Sequence, residues 1–285
     1  MQTLLKGSSK EILVNTGGPV VMIGEKINPT GHKKLAQALQ EGRLEYASEL
    51  AIKQAAAGAD ILDVNVGVPG IDDVALLPKV VQLVTGAVDL PICLDSPNPK
   101  ALAAALPLTP GKPLVNSVNG EEASLNAILP LVKDRGAAVI GLTLDENGIP
   151  TDPHTRLLIA GKIIERAARL GIPSEDIIID PLVLTIGADS NAGKVTLQAV
   201  QMIRNEFGVN ISLGASNVSF GLPDRPTINI AFLVMLIQAG ASCLITDVAK
   251  MGCYVRAADM LLGRDEFATN YIRYFRKHPR EVTQP

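Results

Sequence analysis

The segment Ile61-Leu62-Asp63-Val64-Asn65-Val66-Gly67 begins apolar and ends on Asp, Asn and Gly. A short aliphatic run of this kind reads as a strand buried on both faces, as in a parallel sheet covered by helices. Seven further segments repeat the design: Val20–Asn28, Pro91–Ser96, Leu114–Val118, Ala138–Asp145, Asp176–Pro181, Asn210–Ser216 and Ser242–Val248. Helical patterns fill the gaps. Leu44, Ala47, Leu50, Ala51 and Ala55 recur at helical steps, and so do Leu157, Ala160, Ile164, Ala167 and Gly171. Gly58, Gly136, Gly171, Gly208 and Gly240 stand where such helices would end. Eight strands alternating with helices is the count of an α/β chain folded as a single-domain (β/α)8 TIM barrel. The competing doubly wound sheet wants Gly-x-Gly-x-x-Gly after its first strand, and Gly24-Glu25-Lys26-Ile27-Asn28 stands there instead.

The 285 residues suit one barrel. The expected boundaries are an N-terminal extension (1–19), the barrel (20–275) and a tail (276–285). Within the extension, Glu11–Val14, the turn Asn15-Thr16-Gly17-Gly18 and the chain from Val20 read as a hairpin closing the barrel floor. One more helix is expected within Asp265–Pro285, followed by a frayed end. The composition is 47% apolar but only 3% aromatic, and 26 Lys and Arg face 29 Asp and Glu. That balance excludes disorder by low hydrophobicity, nucleic-acid binding by bulk charge and a stacking platform for single strands. The longest apolar run, Ile230–Ile237, is eight residues, against the ~20 of a membrane span. Met1–Lys10 lacks a signal core, and Cys93, Cys243 and Cys253 are odd in number and scattered. Reduced thiols and a cytoplasmic location are expected. With His32, His154 and His278 equally dispersed, no metal site is expected.

Each strand ends on a polar group: Glu25 and Asn28; Asp63 and Asn65; Asp95; Asn116; Asp145; Asp180; Asn217; Asp247. In a barrel these ends converge on the C-terminal mouth, where barrel enzymes keep their sites. Some of them have a plainer duty. Asp145-Glu146-Asn147-Gly148 is a turn by composition, and one of Asp63 and Asn65 can serve only to stitch neighbouring strands. Asp95 is a poor helix cap, because Asn98-Pro99 already supplies a cap and a first-turn proline. Asp180 and Asn217 stand far from the helices that follow them.

A Schiff-base aldolase needs a lysine embedded in apolar sequence, and neither Lys26 nor Lys250 is. Asp63, Asp95 and Asp180 could gather round a cation, but the interleaved Asn residues favour paired hydrogen bonding. Carboxylates accept from adjacent ring N–H and amino donors, while amides both donate and accept. That set suits a neutral heterocycle rich in N–H groups, such as a pterin.

Read in order, Gly24-Glu25-Lys26-Ile27-Asn28, Leu62-Asp63-Val64-Asn65-Val66-Gly67, Cys93-Leu94-Asp95-Ser96, Val115-Asn116-Ser117, Ile179-Asp180-Pro181-Leu182, Ser216-Asn217-Val218-Ser219 and Arg225-Pro226 resemble the methyltetrahydrofolate:corrinoid protein methyltransferases. The series is also similar to the folate domain of cobalamin-dependent methionine synthase. Dihydropteroate synthase shares the barrel, but its Asn-x-Thr-Pro-Asp-Ser-Phe-Ser opening is replaced here by Asn28-Pro29-Thr30-Gly31. Lys26 stands where the family commonly carries Arg, which keeps the charge and loses the bidentate fork.

The resemblance implies methyl transfer between N5 of tetrahydrofolate and the cobalt of a corrinoid, such as cobalamin, on a separate corrinoid protein. It implies that Asp95, Asn116 and Asp180 grip the pterin and that Asn217 is the catalytic group beside the methyl-bearing nitrogen. Glu25, Asn28, Asp63, Asn65, Ser216 and Arg225 complete the expected substrate-binding set, with no intrinsic metal and a homodimeric assembly. If any ring touches pterin or corrinoid, Phe220 in the loop after Asn217 is the first candidate. A folate-binding barrel without turnover and a metal-dependent lyase or aldolase on the same fold are the alternatives.

Overall fold

Eight parallel strands close into a barrel in the computed structural model of the protein, which describes residues 1–278. They are β3 (Val21–Ile27), β4 (Ile61–Val64), β5 (Ile92–Asp95), β6 (Leu114–Asn119), β7 (Ala138–Leu142), β8 (Ile177–Asp180), β9 (Asn210–Gly214) and β10 (Cys243–Thr246). They pair in chain order, and β10 meets β3 to close the ring. Each lies within a segment expected from the sequence except β6, which runs one residue further. The helices are α1 (Lys33–Gln40), α2 (Glu45–Ala56), α3 (Asp73–Ala87), α4 (Pro99–Ala105), α5 (Glu122–Arg135), α6 (Pro153–Arg169), α7 (Ala192–Phe207), α8 (Arg225–Ala239), α9 (Val248–Leu261) and α10 (Thr269–Lys277). Among the described residues, no helix is long and apolar enough to cross a membrane.

The two faces of each strand divide the core. Ile23, Ile61, Cys93, Leu114, Ala138, Ile140, Ile178 and Cys243 form a buried cluster inside the barrel. Their neighbours Met22, Leu62, Leu94, Val115, Val139, Ile179 and Leu244 pack outward with the helices. Because side chains alternate, a residue two positions beyond an inward one is inward again. This carries Glu25, Asp63, Asp95, Asn116 and Asp180 onto the inner face at the C-terminal end. Gly136 and Gly208 end α5 and α7 in the left-handed conformation, at φ 63° and 65°.

The N-terminal hairpin is present with a different partner. β1 (Gln2–Lys6) pairs antiparallel with β2 (Glu11–Asn15), turning at residues 7–10, whereas the turn at residues 15–18 only leads into β3. Closure explains the correction. β3 is bonded to β10 on one side and β4 on the other, so it has no free edge for β2. The hairpin still plugs the floor: Leu5 and Val14 join the inner cluster fully buried. Asn210 Nδ2 donates to Thr3 Oγ1 at 2.9 Å and to the Val14 carbonyl at 3.1 Å. The expected C-terminal helix is α10, and residues 279–285 of the expected tail lie outside the described ones.

Gly111 is where the hairpin meets the barrel. Its φ is +67°, and a Cβ there would stand 2.2 Å from the Lys6 and Gly7 carbonyl oxygens. The adjacent Lys112 exchanges backbone hydrogen bonds with Lys6 at 2.9 and 3.0 Å. Gly111→Ala is therefore expected to lift the hairpin and lower unfolding free energy by about 2–4 kcal/mol in denaturant melts.

Candidate functional site

At the C-terminal mouth of the barrel lies an open cavity of about 800 Å³. Glu25, Asn28, Asp63, Asp95, Asn116, Ser216, Asn217 and Arg225 line it, brought together from the ends of five strands and the start of α8. Two expected residues stand outside the lining. Asn65 donates from Nδ2 to Asp95 Oδ2 at 3.0 Å and accepts the Gly67 N–H at 2.7 Å, so it is the stitch between strands. Asp180 ends β8 at the same mouth, only 7% exposed.

Asp63 and Asp95 form the floor of the cavity. They face each other from adjacent strands and share a hydrogen bond. Burial raises Asp63 well above the carboxylate range, and the neighbouring Asp95 charge adds to it. Burial also raises Asp95, while hydrogen bonds from Asn65 and Asp63 oppose that rise. Two such carboxylates cannot both ionise cheaply, so the pair holds one proton. The directions place it on Asp63, which donates to an ionised Asp95. Neutral amides complete the shell: Asn28 Nδ2 reaches Asp95 Oδ2 at 3.3 Å, and Asn116 Nδ2 reaches Asp63 Oδ1 at 3.4 Å. The Asn116–Ser117 peptide is cis.

The remaining groups stand around the mouth, with Asp180 and Phe220 outside the lining itself. Burial pushes Asp180 up to about 7, against the Leu182 N–H and the Arg156 charge, which both favour its ionised form. Asn217 lies in a single 3₁₀ turn, Ala215–Ser219, directly after β9. Its side-chain amide has no hydrogen-bond partner among the described residues and lines the cavity. Arg225 opens α8, donating to Ser219 Oγ and the Ser216 carbonyl, both at 3.0 Å. Its guanidinium stands 5.8 Å from the ring of Phe220, which is 69% exposed. Lys26 Nζ bridges Asp247 at 2.9 Å and Glu25 at 3.4 Å. Burial pulls that ammonium down, but the two carboxylates outweigh it and raise it.

The plainer duties are visible too. Asp145 holds its own turn, accepting the Asn147 N–H at 2.9 Å. Asn98 caps α4 at the Lys100 N–H, which leaves Asp95 to the cavity. His32 caps α1 through Nδ1. Among the described residues, no group of three or more His, Cys, Asp or Glu is arranged to hold a metal ion. Sequence reasoning missed Asn229 and Tyr254 in the lining. Asn229 is one turn beyond Arg225 and accepts from Ser219 Oγ at 2.6 Å; Tyr254 is one turn beyond Lys250, also in the lining. Projecting the first two turns of α8 and α9 onto the mouth would have found both.

Comparison with known proteins agrees with this geometry. Residues 24–247 match the family described as pterin binding enzymes. The chain is 31% identical over 264 residues to methylcorrinoid:tetrahydrofolate methyltransferase of Eubacterium limosum, covering 90% of this chain and 97% of that protein. It is also 31% identical over 245 residues to methionine synthase of Mycobacterium tuberculosis, covering 81% of this chain but 21% of that longer enzyme. Among solved structures, 7,8-dihydropteroate synthase of Vibrio fischeri superposes with a TM-score of 0.71 at 17% identity, over 92% of this chain and 99% of that one. That likeness is one of fold alone. By the match across its barrel and the near-complete coverage of the Eubacterium limosum protein, the chain belongs to the pterin binding enzyme family, among the methyltetrahydrofolate–corrinoid methyltransferases.

Proposed function

We propose that this enzyme moves a methyl group between N5 of tetrahydrofolate and the cobalt of a corrinoid carried on a separate protein. The observation that supports it best is the convergence of Asp95, Asn116 and Asn217 on one open cavity, with Asp180 at the same mouth. The relative named as a methyltransferase favours turnover over a binding-only barrel or a lyase. The donor set suits a pterin. An ionised Asp95 and Asp180 accept from the ring N–H and amino groups, and Asn116 serves a ring nitrogen or carbonyl. Glu25, Asn28, Ser216 and Arg225 wall the site, while Asp63 and Asn65 hold Asp95 in place. We read the protein as cytoplasmic, in keeping with three buried free cysteines, and as a homodimer. A shallow apolar groove of Leu197, Val234, Met235, Leu261 and Leu262 is a surface that a second copy would cover.

A methyl on a tertiary amine leaves badly, because the departing nitrogen would gather negative charge. The Asn217 amide is placed to donate an N–H to that nitrogen as charge develops, which stabilises the transition state more than the ground state. Asn217 does not titrate, so any proton reaching N5 arrives through water that the amide orients. Docked at the mouth, the corrinoid supplies the cobalt that takes or gives the methyl. The pterin must therefore be held with its methyl facing outward for in-line displacement. A site that lowers the barrier one way lowers it the other, so the same residues serve both directions.

Mixed with methyltetrahydrofolate and cob(I)alamin, the purified protein is expected to consume the cobalt(I) absorbance. No change in this mixture or in the reverse one of methylcobalamin and tetrahydrofolate would contradict the reading. Asn217→Ala should slow transfer by about 10²-fold while folate affinity changes by less than about threefold. The floor pair offers a contrast by calorimetry. Asp63→Asn keeps a neutral donor toward Asp95 and should leave tetrahydrofolate binding within about threefold, whereas Asp95→Asn removes the acceptor and should weaken it by about tenfold or more. Finally, substrate N–H groups need an ionised Asp180. Affinity should fall as pH drops through about 7, and a flat profile from pH 5.5 to 8 would contradict that assignment.

A further inference from the structure

Arg156 on α6 is fully buried, the largest such side chain among the described residues, and lies outside the cavity lining. Its Nε donates to the Pro150 carbonyl at 2.9 Å. Its Nη1 donates to the carbonyls of Pro181 and Leu182, each at 2.9 Å, and to Thr196 Oγ1 at 3.2 Å. Thr196 in turn donates to the Leu182 carbonyl at 3.0 Å. Leu182 sits at φ +65°, a costly conformation for a residue with a side chain, and its N–H donates to Asp180 Oδ1 at 2.7 Å. The guanidinium thus pins, from behind, the turn that gives Asp180 its backbone donor.

Pinning carbonyls needs only a neutral donor. A buried guanidinium costs far more to desolvate, and its Nη2 is buried without a partner among the described residues. The charge is explained by what lies next to the turn, the buried carboxyl of Asp180. We propose that Arg156 is a positioning residue for Asp180, holding the Pro181–Leu182 turn and supplying the positive charge that keeps Asp180 an acceptor for substrate N–H groups. This rests on the folate reading above for the identity of that substrate. The ordering of forces on Asp180 agrees: burial raises it, and the Leu182 N–H and then Arg156 oppose the rise. Asp152 and Asp189 also favour the Arg156 charge, more weakly than Asp180 does, and the Asp180 charge acts on the Cys243 thiol of β10.

The test separates charge from scaffolding. The Asp180 carboxyl is titrated by carbon-13 NMR in ligand-free protein, and tetrahydrofolate affinity is measured across the same pH range. In Arg156→Gln, which keeps a neutral donor, both midpoints are expected to move up by about one pH unit. Arg156→Lys keeps the charge and should stay near wild type, whereas Thr196→Val loosens the turn and weakens the Leu182 N–H donation, so it should raise both midpoints by less than Arg156→Gln does. A folded Arg156→Gln protein with unmoved midpoints overturns the proposal, and so does an Arg156→Lys shift as large as that of Arg156→Gln. If Arg156→Gln does not fold, Arg156→Lys carries the test with Thr196→Val as its scaffold control: a Lys shift larger than that of Thr196→Val contradicts a role for charge, and a smaller one supports it. The NMR arm needs no folate, so an Asp180 shift without any tetrahydrofolate binding by wild type would fault the functional reading and leave the charge role standing.

Discussion

A strand in a closed barrel turns every second side chain toward the axis, and the site depends on that constraint. The inner face of β4 reads Ile61 then Asp63, that of β5 Cys93 then Asp95, and that of β8 Ile178 then Asp180. Apolar residues fill the lower layers, where the hairpin residues Leu5 and Val14 shut out water. Polar residues take the last inward place before each strand ends. Closure leaves no strand free to slip, because a one-residue shift would turn these carboxyls into the helix layer.

That crowding sets the electrostatics. Carboxyls on adjacent strands cannot all ionise inside a low-dielectric wall, so Asp63 and Asp95 hold one proton between them. Amides are the natural companions for such a pair. Asn28, Asn65 and Asn116 donate without adding charge, and they fix which oxygens remain available. On the far side of β8 the buried positive charge of Arg156 performs a related task for Asp180. The fold thus decides, before any ligand arrives, which of these carboxyls holds a proton and which is left to accept. Preorganisation of this kind suits a ring whose edge is all N–H, amino and carbonyl groups.

Most of the barrel was legible in the sequence because buried parallel strands are continuous aliphatic runs, and few other structures leave that trace. The mouth was legible because Asp and Asn at strand ends contradict the apolar pattern that precedes them. What escaped depended on the partner and not on the segment. Residues 11–15 look like a strand whichever way they pair, and only ring closure rules out β3 as their neighbour. On α6 the spacing pointed to a face through Leu157 and Ile164, yet the side chains buried deepest are Arg156, Ile159, Ala160, Ile163 and Ala167. An arginine beside that stripe reads as a solvated flank, and its burial is explained only once the carbonyls after β8 are in view. Asn229 and Tyr254 were hidden for a similar reason, since it is the packing of α8 and α9 on the barrel that turns their N-terminal halves to the mouth.

The position of the bound pterin decides whether the mouth works in this way. A crystal structure of the protein with methyltetrahydrofolate measures that directly. The pterin edge is expected within about 3.2 Å of Asp95, Asn116 and Asp180, with its N5-methyl beside the Asn217 amide and directed out of the mouth. A pterin bound elsewhere, or turned so that its methyl points into the floor formed by Asp63 and Asp95, would contradict it.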